Sequence, residues 1–182
     1  MSEIKSDKLS PRTASGTVVL GDSGDTFSVP AGVTIANSGT ATGFGTVNTP
    51  AFGVKLSTGQ SIVTNTWTKI NFDSEIFDSD GNFDSTTNYR FTPTTAGTYY
   101  VICQSGYDLS QATIAATGIY LNGSSAAMKQ GRHAGTVIWI GELNGSSDYI
   151  EGFTYQNQGS TQTSYSSVGN GWRTWMFGMR IA

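Results

Sequence analysis

The residues that could do chemistry are few. His133 is the one histidine, set in a loop-like GRHAG, and Cys103 is the one cysteine. A nucleophilic triad or a catalytic metal needs convergent partners, and the sequence offers His133 none that are distinctive. No GxSxG, HExxH, P-loop or CxxC occurs. Carboxylates are available to flank a glycosidic bond, yet no pair is marked out. The chain is therefore expected not to be an enzyme. Cys103 lies inside an apolar stretch, VIC, where it reads as a small hydrophobe rather than a reactive thiol. A lone cysteine also excludes an intrachain disulfide.

Two patterns could bind something. The run DSDGNFD at 78–84 puts oxygen side chains at alternate positions, so Asp78, Asp80 and Asp84 could hold a structural calcium. Two departures weigh against it: Gly81 falls fourth in the run instead of sixth, and Tyr89 stands where a closing Glu would. The competing reading is a solvated turn in which Asp and Asn make local hydrogen bonds. No other cofactor is expected. The second pattern is Tyr165 and Trp172 in the polar stretch GSTQTSYSSVGNGW. Aromatic rings stack on the apolar faces of sugars while neighbouring amides bind hydroxyls, so these two are candidates for a host surface polysaccharide. Trp172 packing at the start of the last strand is the plainer alternative.

The elements that carry these residues read as strands. Gly is abundant at 23 residues, and Ser and Thr recur between short apolar runs. That texture predicts an all-β chain with many tight turns. Strands are expected near 51–57, 61–64, 67–72, 87–92, 97–107, 113–122, 135–143, 148–157 and 173–181. Asn122-Gly123 and Asn144-Gly145 are hairpin-turn signals, and 159–172 reads as a long polar loop. Pro93 must end one strand, and Gly97 allows the turn that restarts the next, GTYYVICQ. Its Tyr99, Val101 and Cys103 point one way and its Tyr100 and Ile102 the other. A half-solvated strand should alternate apolar with polar residues. This one is apolar on both faces, as are the runs 137–140 and 175–179, so the domain's own core can cover only one of them.

Residues 1–48 differ in texture. The segment 1–12, MSEIKSDKLSPR, is polar with Ile4 and Leu9 as its apolar anchors, and it ends in Pro11 and Arg12. It is read as an anchoring arm. Residues 13–48 carry short apolar runs between GDSGD, PAG and NSG turns, which suggests three short strands. A single such ribbon cannot bury its apolar side chains, whereas three copies about one axis could, forming a short β-rich trimeric shaft.

Two resemblances follow from these residues. From 50 to 182, the order of Phe72-Asp73, Gly81 to Asp84, Phe91 and Gly97 to Tyr99 resembles the globular heads of the complement q-component and tumour necrosis factor superfamily. PAFGVKL at 50–56 looks like that family's first strand and TWMFGMRI at 174–181 like its last. Ala96, where a Pro is usual, and Thr-Thr-Asn before Tyr89 depart from the pattern. The resemblance implies a ten-stranded-type jelly-roll sandwich over 49–182 that forms a homotrimer. Tyr99, Val101, Trp139, Trp175 and Phe177 would line the interface. Residues 1–45, with MSEIK…SPR and then GDSGDTF and VPAGVT, are similar to the N-termini of virion proteins of marine bacteriophages. That likeness implies a virion component whose arm, through Ile4, Leu9 and Arg12, binds another virion protein.

Composition narrows the partners. Charged residues are 13% of the chain, against roughly 25% in an average protein, which suits an assembly with large buried interfaces. A net charge of −3 weighs against nucleic acid, since phosphate binding needs a basic field. No run approaches the roughly 20 apolar residues of a membrane span, and no signal peptide opens the sequence. The protein is therefore expected to be made in a host cytoplasm and displayed on the virion surface. Host adhesion is the expected task, with shell decoration as the alternative.

Overall fold

The computed structural model describes residues 17–19, 22–34, 48–107, 114–131, 135–166 and 173–182. The chain divides into two compact units, Met1–Phe44 and Gly45–Ala182.

Among its described residues the second unit contains thirteen strands and no helix. In chain order they are β1 (Ala51–Lys55), β2 (Ser61–Ile62), β3 (Thr68–Lys69), β4 (Ser74–Asp78), β5 (Phe83–Asp84), β6 (Arg90–Phe91) and β7 (Gly97–Gln104). After them come β8 (Ala115–Leu121), β9 (Ser124–Gly131), β10 (Thr136–Leu143), β11 (Ile150–Gln156), β12 (Gln162–Thr163) and β13 (Trp175–Arg180). The first sheet has the order β10-β7-β13-β1-β4 and the second β5-β6-β11-β8-β9, with β3 also paired to β11 and a small β12-β2 ribbon apart.

Pairing among the principal strands is nested. The first, β1, pairs with the last, β13; β6 pairs with β11, β7 with β10, and β8 with β9, all antiparallel. A long hairpin rolled up on itself gives this pattern, which is the jelly roll. The β8–β9 fold-back is made by Asn122 and Gly123, both at positive φ (51° and 77°), the geometry that a two-residue hairpin turn demands.

The core lies between the sheets. Phe52, Ile70, Phe72, Phe91, Tyr99, Val101, Cys103, Ile119, Leu143, Ile150 and Met176 are at most 1% exposed. Phe52 stacks on Phe91 at 4.3 Å between ring centroids, and Tyr99 meets Phe91 edge-on at 5.8 Å. Two mid-strand glycines admit this packing. A Cβ on Gly178 would sit 2.5 Å from Phe52 Cε1, and one on Gly152 would sit 2.7 Å from Phe72 Cε2.

Several expectations are corrected here. Residues 74–78, 83–84, 124–131 and 162–163 also form strands; the last pair lies in the stretch read as loop. In the first unit, the described residues 17–19 and 22–34 form turns and no strand. There Asp25 N donates to Asp22 O at 3.0 Å and Val33 N to Pro30 O at 3.2 Å. Val19, Phe27 and Val33 are each more than half exposed, and among the described residues of this unit no strand faces them. Leu20 and Ile35 lie outside the described residues, as do the arm residues Ile4, Leu9 and Arg12.

Candidate functional site

The two sheets treat their outer faces differently. On the second sheet, Tyr120 stacks on Phe153 at 4.0 Å, and Trp67 leans over both Tyr120 (6.0 Å) and Tyr155 (5.6 Å). Glu151 on the same face is paired with Lys69 at 2.8 Å. That face therefore carries its own aromatic roof, closed over Gly118, where a Cβ would meet Trp67 at 3.1 Å.

The first sheet has no such roof among the described residues. Register fixes which side chains share its outer face: Ile138 opposite Ile102, Ile140 opposite Tyr100, and then Phe177 opposite Ile102 and Met179 opposite Tyr100. Phe77 joins them from β4 across Gly53, its ring 6.0 Å from Phe177, and Trp175 meets Phe177 edge-on at 5.2 Å. Gly53 makes room, since a Cβ there would lie within 2.7 Å of both phenyl rings. A groove of about 190 Å³ runs between Phe77, Tyr100, Ile102, Phe177 and Met179. In the single chain Phe77, Ile138, Ile140 and Met179 are 46%, 51%, 58% and 39% exposed. A contiguous apolar face of this kind marks an interaction surface rather than ordinary scatter.

This register places three of the five interface residues read from the sequence on the inner face. Tyr99 and Val101 are fully buried in the core of their own chain, so no neighbour can reach them. Trp139 lies opposite Val101 and packs against the same core. Trp175 and Phe177 lie on the outer face. Sequence reasoning passed over Phe77, Tyr100, Ile102, Ile138, Ile140 and Met179. A signal was present in the strand ends. In GTYYVICQ the alternate set holding Tyr100 and Ile102 begins with Thr98 and ends with Gln104; in TVIWIGEL the set holding Ile138 and Ile140 is flanked by Thr136 and Glu142. Polar ends mark the set that meets solvent at its margins, and Thr98 Oγ1 indeed donates to Glu142 Oε1 on that face.

The acidic run is a loop scaffold. Asp84 Oδ1 accepts from Thr86 N (3.0 Å) and Thr87 N (2.9 Å), and Oδ2 from Asn88 N (3.0 Å) and Asn88 Nδ2 (2.7 Å). These hydrogen bonds, with the Thr87 amide first, hold its carboxyl well below the usual range. Asp78 Oδ2 accepts from Phe83 N at 2.7 Å and Oδ1 from Asp80 N at 3.3 Å. This goes against the calcium reading of Asp78, Asp80 and Asp84: the oxygens of Asp78 and Asp84 turn to backbone amides, and among the described residues no group of three His, Cys, Asp or Glu could hold a metal ion.

Tyr165 is half-buried, with the Arg173 guanidinium 4.4 Å over its ring, so one ring face is already taken. Trp172 and His133 lie outside the described residues. Cys103 is fully buried, and desolvation pushes its thiol far up, which leaves no thiolate to react.

Topology gathers the C-terminal ends of β1, β7, β9 and β11 at one end of the sandwich, away from Pro50. Lys55 and Gln104 both lie opposite Trp175, and Ala115 lies opposite both Gly131 and Gln156. A buried hydroxyl network ties the sheets together there. Ser105 Oγ lies 2.7 Å from Thr117 Oγ1 and 2.9 Å from Thr154 Oγ1, while Tyr107 OH is 2.5 Å from Thr154 Oγ1. Thr154 also donates to Ala116 O at 3.1 Å.

No known protein family and no curated protein matches the chain in sequence. Among solved structures it is similar to Eiger TNF from S. frugiperda, with a TM-score of 0.48, 10% identity, and coverage of 72% of this chain and 92% of that one. It is also similar to murine APRIL, with a TM-score of 0.46, 10% identity, and coverage of 72% and 99%.

Proposed function

We propose that this protein is a trimeric bacteriophage virion surface protein, whose jelly-roll unit displays its looped end for adhesion to the host. The observation that carries the reading is the unroofed apolar face of the first sheet, from Phe77 through Phe177 and Ile102 to Ile138. Its occupant is two further copies of this chain. Burying such a face removes apolar area from water at roughly 25 cal/mol per Å², and three copies around one axis do so with identical contacts. The likeness of residues 50–182 to the tumour necrosis factor superfamily supports three copies rather than two. The virion part rests on the wording of residues 1–45, where the arm would attach to a neighbouring virion protein. Trimerisation sets three looped ends side by side, so weak contacts to a surface glycan multiply through effective concentration.

Labelling decides between tasks. An antibody raised against residues 49–182 is applied to purified particles and imaged. Label on protruding tail structures supports adhesion. Label at shell threefold positions would make the protein a decoration protein that stabilises the head. Particles that carry no label would refute the virion reading.

A further inference from the structure

Beside the connection that follows β1, a pocket of about 240 Å³ opens between Thr58, Gln60, Asn71, Asp73 and Tyr89. Its size lies below the roughly 300 Å³ at which pockets for drug-sized ligands begin, so it takes one ring rather than a chain. The walls are fixed from behind. Gln60 Nε2 donates to Lys69 O (2.8 Å) and Gln60 Oε1 accepts from Asn71 N (2.9 Å). Ser57 orients the Asp73 carboxylate, its N donating to Oδ1 at 2.7 Å and its Oγ to Oδ2 at 2.6 Å. Each carboxylate oxygen keeps acceptor capacity beyond that bond.

The front of the pocket is unspent. Among the described residues the side chains of Thr58 and Asn71 and the Tyr89 hydroxyl have no hydrogen-bond partner. Tyr89 itself has φ = +50°, a conformation uncommon for a bulky residue and one that persists only where the surroundings enforce it. Here they do: Asp84 winds the preceding loop through three successive amides, and Lys69 Nζ holds Asn88 O at 2.9 Å. The outcome of that enforced geometry is an aromatic residue in the pocket wall, near a carboxylate, a free amide and a free hydroxyl.

We propose that this pocket is a subsite for one neutral pyranose ring of a surface glycan. Asp73 and Asn71 bind ring hydroxyls, Thr58 supplies a further donor or acceptor, and Tyr89 supplies apolar and phenolic contact. No basic side chain lines the pocket, which disfavours sialic or uronic acids and selects an uncharged sugar. The proposal rests on the adhesion reading for its biological source, although the site's chemistry does not.

The test titrates the full chain with glucose, galactose, mannose and N-acetylglucosamine, each to tens of millimolar, by saturation-transfer NMR. At least one should bind saturably. Asn71→Ala should weaken it about fivefold, the loss of one net hydrogen bond, with an unchanged melting temperature because the Asn71 side chain makes no internal bond. Tyr89→Gly should remove binding while the melting temperature holds or rises, since Gly relieves the positive φ. Failure of all four sugars to bind, or binding unaltered in both variants, overturns the subsite. Cell binding by the wild-type chain is measured in parallel. Cell binding that persists without any sugar binding refutes the subsite and keeps adhesion; sugar binding without cell binding keeps the subsite and refutes adhesion.

Discussion

Asp84 shows how much one exposed carboxylate can organise. Its folded-state pKa is depressed below the ordinary 3.8 by the Thr87, Thr86 and Asn88 donors. A depressed carboxyl contributes stability that is present above its unfolded value and is lost as pH falls through the folded value. The 84–89 loop should therefore hold at neutral pH and loosen progressively below about pH 4. The melting temperature of Asp84→Asn should fall less between pH 7 and pH 2.5 than that of the wild type; an equal fall would show that Asp84 is not the acid-sensitive group. Thr154 is the buried counterpart. Thr154→Val keeps the shape but leaves the Tyr107 hydroxyl, 6% exposed, without its partner. Urea unfolding should show a loss of about 1–3 kcal/mol. Adding Tyr107→Phe should recover part of that loss, because removing both partners leaves no orphan. The sequence signalled the Asp-rich turn, and the structure shows the Asp78 and Asp84 oxygens taken up by backbone amides of the same stretch.

At the scale of elements, legibility followed patterning. The strands with two apolar faces or clear alternation, β1, β7, β8, β10, β11 and β13, were readable. β9 was not, because SSAAMKQG is polar or small apart from Met128 and seven of its eight residues are exposed. Only the Asn122-Gly123 turn dictates that it folds back on β8. β5 and β12 are two-residue pairings that exist because a tertiary neighbour passes alongside, not because of any local propensity. The mid-strand glycines belong to this scale as well. In Gly178→Ala the new Cβ would overlap Phe52, which is fully buried and has nowhere to swing. A cost of about 1–3 kcal/mol by thermal or urea unfolding is expected for this overpacking; a neutral result would mean that the sheets can part locally.

For the whole molecule, the decisive surface is the first sheet's outer face. Ile138 and Ile140 contribute nothing to the chain's own core, so Ile138→Lys with Ile140→Lys should leave the strand content seen by circular dichroism unchanged. Sedimentation should shift from the proposed trimer to a single chain, and the melting temperature should lose its dependence on protein concentration. A double variant that still sediments with the wild type would place the self-association surface elsewhere. The contrast with the second sheet makes this prediction specific: there Trp67, Tyr120, Phe153 and Tyr155 already cover one another, and lysines on that face would disturb the monomer itself.

By itself the sequence determined an all-β chain, most of its principal strands, its hairpin turns and the presence of strands apolar on both sides, since these depend on local periodicity and turn chemistry. Which side of each strand faces inward was signalled only by the polar ends of β7 and β10 and was decided by the tertiary structure. Along the apolar centre of one strand the two sides are alike, and cross-strand register, which sets Val101 beside Trp139 and Ile102 beside Ile138, assigns one to the core and the other to the exposed outer face. The roofing of one sheet and not the other, and the pocket at Tyr89, likewise come from segments far apart in the chain meeting in space.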